Sequence, residues 1–124
     1  MTLMRILALM MMLACVASAQ LATKKAMTLA AAKQIAAAAE VEAIKNKWNV
    51  VIVITDDGGN LVYLQRMDET QIGSVDVAQE KARTSVRFKR PTKTFVEMLA
   101  GGNQGILKLP GALPVEGGLP LMLD

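Results

Sequence analysis

The stretch VVIVITDDGGNLVYLQRMD, Val50 to Asp68, decides the fold. Val50 to Ile54 is an unbroken branched apolar run, the pattern of a strand covered on both faces. Leu61 to Arg66 reads as a second strand. Between them TDDGGN has the chemistry of a hairpin connection, because glycine takes positive φ without strain and Asp or Asn bonds its own backbone. Asp57 is expected in the turn, and Gly58 is expected to need positive φ. Asp56, at the strand end, either caps the turn or faces a ligand. A glycosidase needs two carboxyls about 5–9 Å apart across a cleft. Neighbouring residues on one tight turn cannot straddle a sugar, so that acid/base site is excluded.

Helices are expected on both sides of the hairpin. Thr28 is placed to cap one, its side-chain oxygen meeting a free backbone N–H. Leu29, Ala32, Ile35, Ala36, Ala39 and Ala43 then recur at three- and four-residue steps, which is one helical face. Alanine on the buried side lets such a helix lie close to a sheet. Trp48 is expected to close the edge of the core. After the hairpin, Ser74 is a candidate cap, and Val75, Ala78, Ala82 and Val86 form a stripe that Pro91 brings to an end. Thr92 or Thr94 can cap a further helix packed through Phe95, Val96, Met98 and Leu99 and stopped by Gly101-Gly102. The tail GILKLPGALPVEGGLPLMLD is rich in Gly and Pro. Leu119 to Leu123 reads as the start of a strand.

The 124 residues set one domain as the expectation. The chain is 52% hydrophobic but only 3% aromatic, so a core of Ala, Val, Ile and Leu would be thin. It has no histidine, and Cys15 is its only cysteine. Ser-His-Asp and Cys-His catalysis, His/Cys zinc sites and disulfides within one chain are therefore excluded. The first residues, MTLMRILALMMMLACVASAQ, carry Arg5, an apolar run from Ile6 to Val16, and Ala17-Ser18-Ala19 as a small-x-small cleavage site. That layout is a secretory signal, and the run is too short to span a membrane. Residues 1–19 are expected to be removed, leaving a single domain from Gln20 to Asp124 in the periplasm or outside the cell. An alternative makes Cys15 a lipidation site, against which the short run and Met12 both speak.

The formal net charge is +3. From Lys81 to Lys93 there are six cations, Lys81, Arg83, Arg87, Lys89, Arg90 and Lys93, and no acidic residue. The plain reading is a solvated face. The functional reading is an anion-binding edge for carboxylates, phosphate or propionates. Nucleic acid is not expected, since no aromatic stacking platform accompanies the charge. GGNQG follows a helix C-terminus, where the dipole disfavours an anion, so it reads as a cap and loop.

Taken together, MTLAAAKQIAAAAEVEA, the Asp-x-Gly-x-Leu hairpin, AQEKARTSVRFKRPT and LPVEGGLPLML resemble the GlcG/HbpS-like family, also seen as the C-terminal domain of PduO-type proteins. The resemblance runs from about Met27 to Asp124. It implies an α/β (α+β) layered domain, profilin-like, with helices packed on an antiparallel sheet of about five strands. A C-terminal strand and helix of the family pattern have no counterpart in the sequence. The family is associated with haem, and its members often form homo-oligomers.

With the leader pointing to export, the resemblance implies a non-enzymatic domain that binds haem or another small anionic ligand. Arg83, Arg87 and Arg90 would hold its carboxylates. Without histidine, iron ligation would fall to Tyr63, Met67, Met98 or, on the matching helix, Thr84. Each of these also has a structural reading as a packing or helix-surface residue. The alternatives are an enzyme or accessory protein of small organic acid metabolism, and an oligomeric scaffold or non-functional fragment. The sequence holds no nucleophile–base pair or metal cluster to support the enzyme.

Overall fold

A computed structural model describes residues 20–122. The expected signal segment, with Arg5, Cys15 and Ala17 to Ala19, lies outside the described residues, as do Leu123 and Asp124. The elements run in the order α1 (Leu29–Lys45), β1 (Val51–Thr55), β2 (Leu61–Arg66), α2 (Ser74–Phe88), α3 (Lys93–Ala100) and a 3-10 helix (Gln104–Lys108). No described helix is long and apolar enough to cross a membrane.

The hairpin is antiparallel, with Val51 opposite Arg66, Val53 opposite Leu64 and Ile54 opposite Tyr63, and a bulge between Ile54 and Thr55. Asp57 lies in the turn, as expected, and Asp56 caps it. The Asp56 carboxylate accepts from the backbone N–H of Gly58 and of Asn60, both at 2.9 Å, and from the Asn60 amide at 3.0 Å. Asp57 points away and pairs with Lys24. The positive φ belongs to Gly59, at +80°, and not to Gly58.

Thr28 caps α1 as expected, accepting from the Ala31 N–H at 3.1 Å. The face α1 buries is all alanine, Ala32, Ala36 and Ala43. Leu29 and Ala39, expected on that face, are exposed, and so is Trp48 at 57%. Leu29 is the first residue of α1 and Trp48 lies beyond its end, so both fall outside the stretch from Ala32 to Ala43 that is buried. Both α1 and α2 contact β1. Among the described residues the buried apolar core is Ala32, Ala36, Ala43, Ile52, Ile54, Phe95 and Ile106. It is as thin as the composition implies.

Three expectations are corrected. The described residues hold a sheet of two strands, not about five. Residues 119–122 form no strand, because their backbone finds no ladder partner there. Ser74 is the first residue of α2 and makes no cap bond to it; the N-cap position falls to Gly73, and the Ser74 hydroxyl accepts from Gln71. Helix α2 ends in a left-handed Lys89, φ +52°, whose N–H returns to the Ser85 carbonyl.

Candidate functional site

The candidate site is the face of α2 that carries the basic run, together with the tail that docks on it. Thr84 and Ser85 are 0% and 1% exposed, the most buried positions of α2. The expected stripe of Val75, Ala78, Ala82 and Val86 is only half-buried. The Thr84 hydroxyl lies 2.8 Å from the Glu80 carbonyl and 3.2 Å from the Gly111 carbonyl, and it accepts from the Leu113 N–H at 3.0 Å. Ser85 donates to the Arg90 carbonyl.

A second clasp lies farther along. Thr92, also 0% exposed, exchanges bonds with Gly118: each backbone N–H finds the other residue, at 2.9 Å. Its hydroxyl is therefore spent on the tail and caps no helix. A side chain at Gly118 would place Cβ 2.4 Å from the Lys81 carbonyl oxygen, so only glycine fits. The Pro91-Thr92 and Gly117-Gly118 motifs, 26 residues apart, are thus one structural unit.

These clasps explain part of the basic run. The Lys81 ammonium donates to the Glu116 carbonyl at 3.1 Å, and Lys93 pairs with the Glu116 carboxylate at 3.6 Å. Arg83 pairs with Glu80 at 2.5 Å, its side chain 31% exposed. Its stem also supports the hairpin turn, since a Cβ on Gly59 would lie 3.5 Å from Arg83 Cγ. Arg83 is therefore less of a surface position than its sequence context implies. Arg87, Lys89 and Arg90 have no carboxylate partner among the described residues. They gather at the C-terminal end of α2, where the helix dipole favours cations. Arg87 is exposed and lies against Gly111. Arg90 donates to the Phe88 carbonyl and stacks 5.9 Å from the centre of the Phe95 ring. Phe88 and Phe95 meet edge to face at 5.3 Å beneath it.

Tyr63 does not join this cluster. Opposed residues of an antiparallel pair share a face, so Tyr63 goes with Ile54, away from the Val53 face that α2 lines. Its hydroxyl donates to Gln65 at 3.1 Å. Thr84 is close in sequence to the cations but sealed under the tail, so a ligand reaches it only if residues 111–113 lift.

Two concavities border these elements. A cleft of about 100 Å³ lies between Val51 and Val53 of β1, Ala78 and Ala82 of α2, and Gly118-Leu119. Pockets for small organic ligands run to roughly 300–1,000 Å³, so a tetrapyrrole does not enter it. A wider groove of about 400 Å³ is lined by Glu40, Asp68 and Glu69 against a single cation, Arg66. Its sign is wrong for an anion, although Met67 lies in it. Among the described residues no carboxylate group is arranged to hold a metal ion. Asp56 has its carboxyl held below the ordinary value of 3.8, first by the Asn60 side-chain amide and then by backbone N–H groups. Those bonds are the signature of a turn.

The comparisons with known proteins agree on one family. A family model described as "Haem degrading protein HbpS-like" matches residues 27–124. Protein GlcG of Escherichia coli K12 is 39% identical over 102 residues, which covers 82% of this chain and 76% of GlcG. Protein ORFY of Klebsiella pneumoniae superposes with a TM-score of 0.77 at 31% identity, over 85% of this chain and 75% of that one. A double mutant of Streptomyces reticuli HbpS superposes with a TM-score of 0.75, also at 31% identity, over 86% of this chain and 73% of its own. With a family model spanning almost all of the described residues, and relatives matched over about three quarters of their length, the chain belongs to the HbpS-like family.

Proposed function

We propose that the chain is an exported binding domain for haem or a similar anionic cofactor, working as a homo-oligomer in the periplasm or outside the cell. The observation that carries this reading is the set of three cations at the end of α2, Arg87, Lys89 and Arg90, left without carboxylate partners in a chain of a haem-associated family. Propionates would meet Arg87 and Arg90 through charge-assisted bonds. Arg83 would contribute from the preceding turn, once released from Glu80. Half-buried Phe88, held edge to face on the buried Phe95 beside Arg90, offers an apolar edge for a flat ring. Because the 100 Å³ cleft is too small, the ring would lie on the surface or at a subunit boundary.

The chain has no histidine, so iron would be held by an oxygen or sulfur ligand or by none. Thr84 on α2 becomes such a ligand only with the tail displaced. A second reading, haem turnover, is favoured by the wording of the family model itself.

The test is a titration of the purified chain with haem, followed by absorbance, then addition of a reductant under air. A saturable Soret shift with a spectrum unlike bis-histidine ligation, stable after reductant, supports binding. Progressive loss of the Soret band supports turnover. Absence of any saturable shift removes both.

A further inference from the structure

The turn between β1 and β2 contains Asp57-Gly58, the one Asp-Gly step in the sequence, which has no Asn-Gly step. Such a step is chemically labile, because glycine has no side chain to hinder its own nitrogen as it approaches the preceding carboxyl. The Gly58 nitrogen bonds to Asp57 Cγ and closes a five-membered ring. The carboxyl oxygen leaves as water, taking the amide hydrogen and the acid proton. Water then opens the ring at either carbonyl. Opening at Cγ restores aspartate. Opening at the backbone carbonyl leaves isoaspartate, with the main chain running through the former side chain. One water is lost and one regained, so nothing else is consumed.

The structure explains why glycine stands there. A Cβ on Gly58 would lie 2.9 Å from Asn60 Nδ2 and 3.3 Å from Asp56 Oδ1. The Asn60 amide is fixed at that place by its own bonds to Asp56, at 3.1 and 3.0 Å, and a larger residue would push it off. The labile step therefore comes with the Asp56 cap.

The cap also opposes the reaction. Ring closure requires the Gly58 nitrogen to swing onto Asp57, yet its N–H is held by the Asp56 carboxylate at 2.9 Å. The same oxygen holds the Asn60 N–H. Backbone bonds from Gly59 to Asp56, at 3.1 Å, and from Asp56 to Asn60, at 2.9 Å, tie the loop together. The Asp57 carboxylate itself is drawn outward by Lys24.

We propose that Asp57 is the chain's site of spontaneous aspartate isomerisation, and that Asp56 restrains the reaction while the turn stays capped. The consequence reaches past the turn. Isoaspartate adds one main-chain atom before Gly58. Gly59 packs on α2, where a Cβ would meet Arg83 Cγ at 3.5 Å and Val86 Cγ1 at 3.6 Å. A longer turn moves Gly59 off that contact or breaks the pairing of Thr55 with Leu61. The inference is independent of any ligand.

The full chain is incubated in warm, mildly acidic buffer, folded and in urea, beside Asp56→Ala, Asp56→Asn and Asp57→Glu. Peptide mapping by mass spectrometry reads the ring as loss of one water. Electron-transfer fragmentation separates isoaspartate from aspartate at equal mass. Isomerisation at Asp57 should be roughly tenfold or more slower in the folded parent than in urea, since the turn must open first. Folded Asp56→Ala has lost two backbone hydrogen bonds to a carboxylate and should react roughly tenfold or more faster than the folded parent. Asp56→Asn keeps an oxygen acceptor and should stay closer to the parent. Asp57→Glu should give no product at this position, because its ring would need a sixth member. In urea the parent and both Asp56 variants should react alike, which separates the cap from any effect of the neighbouring side chain.

Product forming at another aspartate ahead of Asp57 in urea would overturn the site. A folded parent as fast as the unfolded one would overturn the restraint, and so would a folded Asp56→Ala no faster than the parent. Should that variant fail to fold, amide exchange on the parent decides. The Gly58 N–H should be protected, and exchange at the unfolded rate would overturn the role of Asp56.

Discussion

Gly118→Ala is the sharpest perturbation of the clasp that seats the tail on α2. The added Cβ would lie 2.4 Å from the Lys81 carbonyl oxygen, 2.7 Å from Thr92 Cγ2 and 2.9 Å from the Lys81 carbonyl carbon. Two of those three atoms are helix backbone, which cannot swing aside like the end of a side chain. The tail must move instead, and movement breaks the exchange of bonds with Thr92. Overpacking of this kind costs about 1–3 kcal/mol, and each lost hydrogen bond about 1 kcal/mol more. A total of about 3 kcal/mol or more is expected. For a domain of this size that lowers Tm by roughly 12–24 °C. The assay is thermal unfolding beside Gly73→Ala, where the new Cβ meets nothing within 4 Å and φ is −59°. The control should stay within about 0.5 kcal/mol of the parent. A Gly118→Ala chain that melts with the control would refute the packing argument and the clasp with it.

Further outcomes follow from the turn and from Thr84. Asp56→Ala should destabilise the hairpin clearly more than Asp57→Ala, because Asp56 alone accepts from the turn; equal melting temperatures would contradict this. The Asp56 carboxyl titrates below its ordinary 3.8 in the folded chain. Its contribution is therefore present above that value and lost as pH falls through the lower folded one. Asp56→Asn should flatten the acid limb of a stability–pH curve below about pH 3.8, and an unchanged limb would count against the assignment. Thr84→Val leaves the Leu113 N–H buried without an acceptor and should cost about 1–3 kcal/mol. Limited proteolysis should then cut near residues 111–113 faster than in the parent, with Thr84→Ser restoring most of the resistance.

The elements built by local rules were legible in the sequence. Thr28 announced α1, the branched run announced β1, and TDDGGN announced the turn. Within that turn Asp56 took the capping role that the sequence left open to it and Asp57 lies in the turn, but the positive φ fell on Gly59 and not Gly58, because composition names a turn but not which residue takes which backbone angle. The face of α1 was read too broadly. Periodicity marked Leu29 and Ala39 with the others, but only the three alanines that the sheet approaches are covered. Thr84 was harder still. Its neighbours one turn away are Glu80, Lys81, Arg87 and Phe88, so periodicity assigned it to water. It is buried because the backbone of residues 111–113 comes to it from far along the chain, and no local pattern records that. The one signal available was the pair of motifs Pro91-Thr92 and Gly117-Gly118. They look unrelated in sequence and are hydrogen-bonded in space. The basic run was legible as charge but not as division of labour: Lys81 and Lys93 hold Glu116, Arg83 holds Glu80, and only the cluster at the helix end is left over.

The central claim, that this leftover cluster holds an anionic cofactor, is tested most directly by one paired titration. Haem and its dimethyl ester, which lacks free propionates, are each titrated into the parent chain and into Arg87→Gln/Arg90→Gln at low and high salt. If the account is right, the parent binds haem more tightly than the ester at low salt. That preference should shrink as salt screens exposed charges, and it should largely vanish in the double variant while the fold persists. Haem and ester binding alike, unmoved by salt or by loss of both arginines, would show that the cluster is a solvated helix end and would contradict the proposed site.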